Sequence, residues 1–337
     1  MTENRQVIIR ELPTGRLSKD VFELRVGEVP VIGDGEALGR TILMSIDAAN
    51  RAWMQGATYR QAIEPGDVMH TYSIVEVIES KNDSLSPGDI VSTEATWAEY
   101  VKIDIEKAQK LPDVKPLSHL MSVYGIAGKT AYHGLVGVGV PKAGETVVVS
   151  AAAGSVGMYV GQIAKALGCR AVGIAGGPEK CAWVKEELGF DACVDYRGDS
   201  LFKGLKAACP DGIDVYFDNV GGTVLETVLF QMNLHGRVVC CGSVSQYDSK
   251  KSVGPRNLPG LVVVKRLRME GFIVMDFLDQ NEQALDALNR WVKEGKIKVV
   301  EDIVEGLENA PDALIGLLAG DNRGKRMVRV APDPVTA

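Results

Sequence analysis

Two different patterns of apolar and polar positions divide the chain at about residue 120. The first part contains short runs in which apolar and polar residues alternate or β-branched residues cluster, among them VFELRVGEVPVI, ALGRTILMSI, HTYSIVEVIES, DIVSTEA and WAEYVKI. Turn-forming segments such as GDG, EPGD and KNDSLSPGD separate these runs. Such alternation is typical of strands with one buried face, so this part is predicted to be a compact antiparallel β domain.

After that point, continuous apolar runs alternate with segments of helical period. ETVVVS predicts a strand buried on both faces, and GMYVGQIAKALG predicts a helix that ends at Gly168. The alternation continues through strands CRAVGIA, ACVDY, GIDVYFDNV, GRVVCCGSV and RLRMEGFIV, and through helices PEKCAWVKEELG, SLFKGLKAAC, TVLETVLFQMN and EQALDALNRWVKEGKI. The predicted fold class is therefore α/β, a doubly wound parallel sheet of the Rossmann type beside the β domain. The strand-like KRMVRV near the end is expected to return to the β domain.

Composition narrows the function classes. The chain has 337 residues, 46% apolar and 24% charged, and its net charge is −7. This is globular composition for about two domains, and the acidic balance argues against non-specific nucleic-acid binding. No apolar run is long enough for a membrane span, and the polar beginning MTENRQVIIRELPTG shows no secretory signal. Six cysteines without a CxxC pair favour reduced thiols and a cytoplasmic location.

A phosphate-binding loop is indicated by SAAAGSVGMYVGQIAK, which lies between the first predicted strand and helix of the α/β part. Its small residues form the motif Ala-x-x-Gly-x-x-Gly at Ala151, Gly154 and Gly157, which we interpret as a dinucleotide fingerprint with Ala151 in place of the first glycine. Gly154 permits close approach of the backbone to a pyrophosphate, and Gly157 permits close packing of the helix on the sheet. The start of the helix then offers N–H groups to the phosphates.

The end of the second predicted strand favours NADP(H) over NAD(H). An NAD site normally has an acidic residue there for the ribose 2′-hydroxyl, whereas this chain has Gly176 and Gly177. Lys180 begins the next helix, where its charge suits a 2′-phosphate, and Tyr196 and Arg197 can add a hydroxyl and a second charge. The predicted cofactor is therefore NADP(H).

Two further segments are expected at the carboxyl edge of the sheet, where ligands bind in open α/β folds. FDNVGG ends the fourth strand and contains Asn219. CCGSVSQY ends the fifth strand, and its Gly242 again permits close approach of the backbone.

These segments together resemble the medium-chain dehydrogenase/reductase superfamily, and more closely its zinc-independent branch of prostaglandin reductases, bacterial curcumin reductase and plant double-bond reductases. The matching blocks are SAAAGSVG, GQIAKALGCR, FDNVGG, CGSVSQY, MEGFIV and GDNRGKRMVRV, preceded by the weaker SIDAANRAWM and GIAGKTAYHGL. The resemblance implies a GroES-like catalytic domain of residues 1–122 and 302–337 around a Rossmann NADP-binding domain of residues 123–301. It also implies NADPH-dependent reduction of the carbon–carbon double bond of α,β-unsaturated ketones or aldehydes.

Residue roles follow only where this chain matches the blocks. The cofactor-binding residues expected in this way are Gly154, Ser155, Val156, Gly157, Gly176, Lys180, Tyr196, Asn219, Cys241, Gly242, Ser243, Val244, Ser245, Tyr247, Phe272, Ile273, Val274 and Asn322. The catalytic candidates are Tyr247, as a hydrogen-bond donor to the enolate oxygen, and Tyr59, at the substrate mouth. The expected partners are a small apolar electrophilic substrate and a second copy of the chain, joined near RLRMEGFIV.

No metal is expected. A catalytic zinc needs three protein ligands, yet the first 168 residues contain no cysteine, and His70, His119 and His133 lack ligand spacing. The chain also departs from its relatives at Ala49, where many have an aromatic residue, so the substrate pocket differs.

Three alternatives remain open at this level. A short-chain dehydrogenase is suggested by the spacing of Tyr247 and Lys251, but about 120 β-rich residues precede the glycine loop. A quinone reductase on the same scaffold shares every cofactor residue and differs in the substrate pocket. A non-enzymatic NADPH-binding protein is the third alternative, and only turnover distinguishes it.

Overall fold

The structure is a computed structural model that describes residues 3–57, 60–248 and 253–334. The chain forms two compact units. The first contains the chain up to Met121, Glu301–Asp321, and the chain from Arg326 onwards. The second contains Ser122–Val300 together with Asn322–Lys325.

The described residues form fifteen strands and ten α-helices, besides short 3-10 helices and one π-helix, His133–Gly139. The strands are β1 Glu3–Ile9, β2 Phe22–Glu28, β3 Ala37–Ser45, β4 His70–Ser80, β5 Ile90–Thr96, β6 Tyr100–Ile103, β7 Gln109–Lys110, β8 Thr146–Ser150, β9 Arg170–Ala175, β10 Ala192–Asp195, β11 Ile213–Asp218, β12 Met232–Cys240, β13 Arg268–Gly271, β14 Glu301–Glu305 and β15 Lys325–Arg329. The helices are α1 Ala48–Ala52, α2 Ile126–Tyr132, α3 Gly157–Ala166, α4 Pro178–Glu186, α5 Leu201–Ala208, α6 Gly222–Leu229, α7 Val244–Tyr247, α8 Leu258–Lys265, α9 Asn281–Lys293 and α10 Ala310–Ala319.

The first unit is β-rich, as its alternating pattern predicts. A seven-stranded sheet has the order β14-β15-β3-β4-β5-β7, with β6 also paired to β3, and β1 and β2 form a separate antiparallel pair. Antiparallel pairing joins β15 to β3, β3 to β4 and β6, β4 to β5, and β5 to β7. The strand from the end of the chain therefore joins the sheet formed by its beginning.

The second unit contains the predicted Rossmann sheet. Its six strands have the order β10-β9-β8-β11-β12-β13, and neighbouring strands run parallel. In chain order this is 3-2-1-4-5-6, the order in which the connections change direction between the first and fourth strands. The confirmed fold is therefore a doubly wound sheet whose ligand crevice lies where β8 and β11 end.

Helices cover both faces of this sheet, which explains its continuous apolar strands. Every residue of β8 is buried. Val147 and Val149 pack in one apolar cluster with residues of α2, α3 and α9, whereas Val148 packs in a second cluster with residues of α5 and α6. The alternation of side chains along the strand therefore divides the core between two faces.

One predicted boundary in this unit is wrong. The run TVLETVLFQMN was expected to be helical to its end, and the next strand was expected to begin near Gly236. The helix α6 ends at Leu229 and β12 begins at Met232. Met232 is paired with Ile213 of β11, and the amide of Ile213 donates to the carbonyl of Gln231 over 3.2 Å. Pairing with a neighbouring strand therefore outweighs the local helical period.

Candidate active site

The glycine loop joins β8 to α3 and is anchored to the next strand. The amide of Ala152 donates to the carbonyl of Ile174 in β9, and the amide of Gly154 donates to the carbonyl of Ala151 over 2.9 Å. A Cβ at Gly157 would lie only 2.2 Å from the Ala151 carbonyl oxygen. Only glycine fits at that position, so the helix begins directly against the turn.

Two features of this loop suit an anionic group. The Oγ of Ser155 is buried and has no hydrogen-bond partner among the described residues. A buried hydroxyl without a partner is costly, and a pyrophosphate oxygen would accept its hydrogen. The loop also precedes the N-terminus of the ten-residue helix α3, which attracts negative charge. The residues present therefore fit the diphosphate of a dinucleotide.

The end of β9 packs closely against the end of β10. Gly177 has a φ of +90°, which favours glycine, and α4 begins at Pro178. A Cβ at Gly176 would lie 3.0 Å from Cε1 of Tyr196 and 3.1 Å from Nε of Arg197. The Arg197 guanidinium carbon lies 5.5 Å from the centre of the Tyr196 ring. The structure therefore brings Gly176, Tyr196 and Arg197 together, as expected of one binding site.

Lys180 lies beside the returning segment of the chain. Its Nζ donates to the carbonyl oxygen of Asn322 over 2.6 Å. Asn322 is buried, and its Nδ2 donates to the carbonyl of Gly324. The amide of Gly324 donates in turn to the carbonyl of Ala153 in the glycine loop. The segment Asn322–Lys325 thus connects the start of α4 with the phosphate loop.

The side chain of Asn219 is oriented by the end of β8. Its Nδ2 donates to the carbonyl of Ser150 over 2.8 Å, and its backbone amide donates to Ser150 Oγ over 2.9 Å. One of the two Nδ2 hydrogens of Asn219 therefore forms a hydrogen bond within the protein. The amide oxygen of an asparagine held in this way can accept a hydrogen bond from a ribose hydroxyl.

Asp218 connects the end of β11 with the end of β8. Its Oδ1 accepts hydrogen bonds from Tyr216 Oη over 2.8 Å and from the amides of Val220 and Gly221 over 3.0 and 2.9 Å. Ser150 Oγ lies 3.3 Å from the same oxygen. Burial raises the pKa of the Asp218 carboxyl, and these hydrogen bonds oppose that rise.

The segment after β12 is bound to the segment after β11. The amides of Cys241 and Gly242 both donate to the carbonyl of Asp218. The hydroxyl of Tyr247 lies 3.4 Å from the amide of Ser243, which donates to it, and a Cβ at Gly242 would lie 3.5 Å from that hydroxyl. Burial raises the pKa of the Cys241 thiol to about 12, so it stays neutral.

The predicted segment Phe272–Val274 follows β13. The ring of Phe272 lies 6.2 Å from the ring of Phe217 in an edge arrangement, and it packs against the apolar core. A Cβ at Gly134 would lie 2.4 Å from the Phe272 ring, so the ring occupies space that a glycine leaves. Ile273, the next residue, is exposed. Phe272 is therefore the residue that attaches this segment to the core.

All the predicted site residues that the structure describes lie in the second unit, at or beside the carboxyl ends of its strands. Tyr59 and Lys251 are outside the described residues. Sequence reasoning missed three further residues, Ser150, Asp195 and Asp218. Each is the last residue of a strand, and each bonds to a neighbouring segment. A polar residue at the end of an apolar strand was the signal in the sequence that could have identified Ser150 and Asp218.

Within the described ranges, no group of three His, Cys, Asp or Glu side chains is arranged to hold a metal ion. In the same ranges, no helix combines the length and the apolar character that crossing a membrane requires.

Comparisons with known proteins agree with this geometry. Residues 5–111 match the family described as the N-terminal domain of oxidoreductase, and residues 155–290 match the family described as zinc-binding dehydrogenase. The chain is 41% identical over 337 residues to the NADPH-dependent curcumin reductase of Escherichia coli strain K12, with 98% of each chain covered. It is 39% identical over 336 residues to the NADP(+)-dependent 2-alkenal reductase of Nicotiana tabacum, covering 97% of this chain and 98% of that one. The structure of CurA from Vibrio vulnificus in complex with NADPH is similar with a TM-score of 0.93 and 36% identity, over 98% of this chain and all of that one.

Proposed function

Because the chain belongs to the zinc-independent reductase branch of the medium-chain dehydrogenase/reductase superfamily, we propose that it reduces the carbon–carbon double bond of α,β-unsaturated ketones and aldehydes with NADPH. The observation that carries this proposal is similarity of about 40% identity, along nearly the whole chain, to reductases whose names specify NADP(H) and a 2-alkenal. The glycines that follow β8 and β9, together with the ammonium of Lys180 in α4, support the same cofactor.

In this proposal, different residues of the second unit bind different parts of NADPH. Gly154–Gly157 hold the pyrophosphate, where the Ser155 hydroxyl gains an acceptor. Lys180, Tyr196 and the Gly176 turn receive the 2′-phosphate. Asn219 and the segment from Cys241 to Ser245, together with Phe272–Val274, line the remainder.

When bound, NADPH supplies the hydride that adds to the β-carbon of the substrate. The double-bond electrons move to the carbonyl oxygen, which becomes an enolate, and a proton from water then completes the α-carbon. Tyr247 donates a hydrogen bond from its phenolic hydroxyl to the enolate oxygen. Tyr59 lines the substrate mouth in this proposal.

The decisive experiment is NADPH consumption by the purified protein with a panel of enones, enals, nitroalkenes and quinones. We expect oxidation of one NADPH per saturated ketone or aldehyde formed, with the carbonyl retained in the product. Turnover of quinones alone would support a quinone reductase on the same scaffold instead. Binding of NADPH without turnover of any substrate would contradict an enzymatic role.

We also propose that two copies associate through the edge of the parallel sheet. Strand β13 forms that edge, and Val263 and Val264 on the neighbouring helix α8 are 72% and 66% exposed. Exposed apolar side chains beside an unpaired strand edge suit self-association. Light scattering after size-exclusion chromatography should give twice the chain mass, and Val264→Lys should lower it. The cytoplasmic location remains a prediction from the sequence.

A further inference from the structure

Asp195 joins the two turns that carry the residues expected at the 2′-phosphate. It is the last residue of β10, and its Oδ1 accepts a hydrogen bond from the amide of Gly177 over 2.8 Å. The same oxygen accepts a hydrogen bond from the amide of Arg197 over 2.9 Å. One carboxylate oxygen therefore fixes the turn after β9 to the turn after β10.

The two turns tolerate little displacement. A Cβ at Gly176 would make tight contacts with the side chains of Tyr196 and Arg197, at 3.0 and 3.1 Å. A direct backbone bond between the two turns runs from the Tyr196 amide to the Ala175 carbonyl over 3.1 Å, and the Gly177 carbonyl accepts a bond from the Cys181 amide of α4 over 3.2 Å. Loss of the Asp195 carboxylate would therefore remove the acceptor of one amide in each turn, those of Gly177 and Arg197.

A carboxylate at this place is unfavourable by charge alone. A phosphate carries negative charge, so Coulomb repulsion from Asp195 would weaken its binding. The position is useful only if the hydrogen-bond geometry that Asp195 imposes outweighs the repulsion. Removal of the carboxylate should raise the affinity for the phosphate if repulsion dominates, and should lower that affinity if positioning of the two turns dominates.

We propose that Asp195 is a positioning residue for cofactor selection, whose Oδ1 holds Gly177 and Arg197 so that Tyr196, Arg197 and Lys180 meet the 2′-phosphate. This role requires the acceptor oxygen of Asp195 but does not require its negative charge. The inference rests on the proposed NADPH cofactor and concerns binding rather than turnover.

Two substitutions separate the acceptor from the charge. Asp195→Ala removes both, whereas Asp195→Asn keeps an Oδ1 acceptor and removes only the charge. Fluorescence titration of the full-length protein with NADPH and with NADH gives the dissociation constants directly. Asp195→Ala should weaken NADPH binding about tenfold and change NADH binding by less than about twofold, as expected for loss of one strong hydrogen-bonded contact. Asp195→Asn should bind NADPH within about threefold of the wild type, or more tightly.

Asp191 offers a matched control in the same unit. Its Oδ2 accepts a hydrogen bond from the amide of Ala171 over 2.8 Å, and its Oδ1 pairs with Lys165. It thus fixes the start of β9, at the opposite end from the site. Asp191→Ala should lower the unfolding temperature but leave the ratio of NADH to NADPH dissociation constants unchanged.

Each result of this series decides the proposal. Tighter NADPH binding in both Asp195 variants would show that only charge matters and would overturn it. Equal weakening by Ala and Asn, or equal loss of NADH and NADPH binding, would also overturn it. A wild-type protein without preference for NADPH would instead refute the cofactor proposal, which makes the two failures distinguishable.

Discussion

The ammonium of Lys180 donates a hydrogen bond to the main-chain carbonyl of Asn322, with 2.6 Å between the two atoms. These residues are 142 positions apart, yet both were expected at the cofactor. An ammonium has three donor hydrogens, so this bond is compatible with a second acceptor such as a phosphate oxygen. The bond also places the charge beside the Gly324–Ala153 link to the glycine loop.

Lys180→Met is expected to weaken NADPH binding about 10- to 100-fold, because a charge-assisted hydrogen bond to phosphate is lost. NADH lacks that phosphate, and its binding should change by less than about threefold. Fluorescence titration measures both constants. Lys185→Met, at an exposed position on the same helix, is the control and should leave both unchanged. Equal loss for the two cofactors would remove Lys180 from the selection of NADPH.

Tyr247→Phe is expected to lower kcat about 100-fold while the dissociation constant of NADPH stays within about twofold, because the hydroxyl acts on the enolate oxygen. Single-turnover absorbance of NADPH measures the chemical step. Tyr196→Phe is the comparison variant: we expect it to raise the KM for NADPH and to leave kcat unchanged. Unaltered turnover in Tyr247→Phe would exclude that hydroxyl from the reaction.

The order of most strands and helices was predictable because local patterns decide it, although α8 Leu258–Lys265 and α10 Ala310–Ala319 were not predicted. HTYSIVEVIES predicts a strand that the structure shows as β4 His70–Ser80, and the alternation after residue 120 predicts the parallel sheet. The glycines were also predictable, since their role depends on local backbone geometry. Gly157, for example, faces the carbonyl of Ala151 within its own loop.

Contacts between distant segments were not predictable from one sequence. The strand β1 Glu3–Ile9 exists through pairing with β2, and β12 begins earlier than its local pattern indicates because of its pairing with β11. Asp195 and Asp218 resemble ordinary strand-end residues in the sequence. Their roles depend on backbone amides that the folded sheet brings to their oxygens.

Ala151, the first residue of the Ala-x-x-Gly-x-x-Gly motif, has a left-handed backbone with a φ of +51°. This conformation is strained for alanine by about 1–2 kcal/mol. Ala151→Gly should therefore raise the free energy of unfolding by about 0.5–1 kcal/mol, after the greater flexibility of glycine in the unfolded chain is subtracted. Urea denaturation measures this change.

Ala152→Gly is the control for that substitution. Ala152 is fully buried and does not have a positive φ, so loss of its methyl group should destabilise the protein by about 1 kcal/mol. A destabilising effect of Ala151→Gly as large as that of Ala152→Gly would contradict the strain at Ala151.

Glu145, immediately before β8, pairs with Arg237 within β12. Its Oε1 accepts a hydrogen bond from Arg237 Nη1 over 3.0 Å, and Arg237 Nε donates to the carbonyl of Gly139. Both side chains are about one-fifth exposed or less, at 21% for Glu145 and 16% for Arg237. Burial raises the pKa of Glu145, but the bonds from Arg237 and from the Lys142 amide outweigh it and hold the pKa below its usual value.

This lowered pKa gives a definite pH dependence of stability. Ionised Glu145 stabilises the fold above the unfolded pKa of about 4.3, and this contribution is lost as the pH falls through the lower folded pKa. Glu145→Gln should lower the free energy of unfolding by about 1–3 kcal/mol at pH 7. The difference from the wild type should shrink steadily below about pH 4.3. Urea denaturation of both proteins at several pH values measures it, and a difference that stays constant down to acid pH would show that the charge of Glu145 does not contribute.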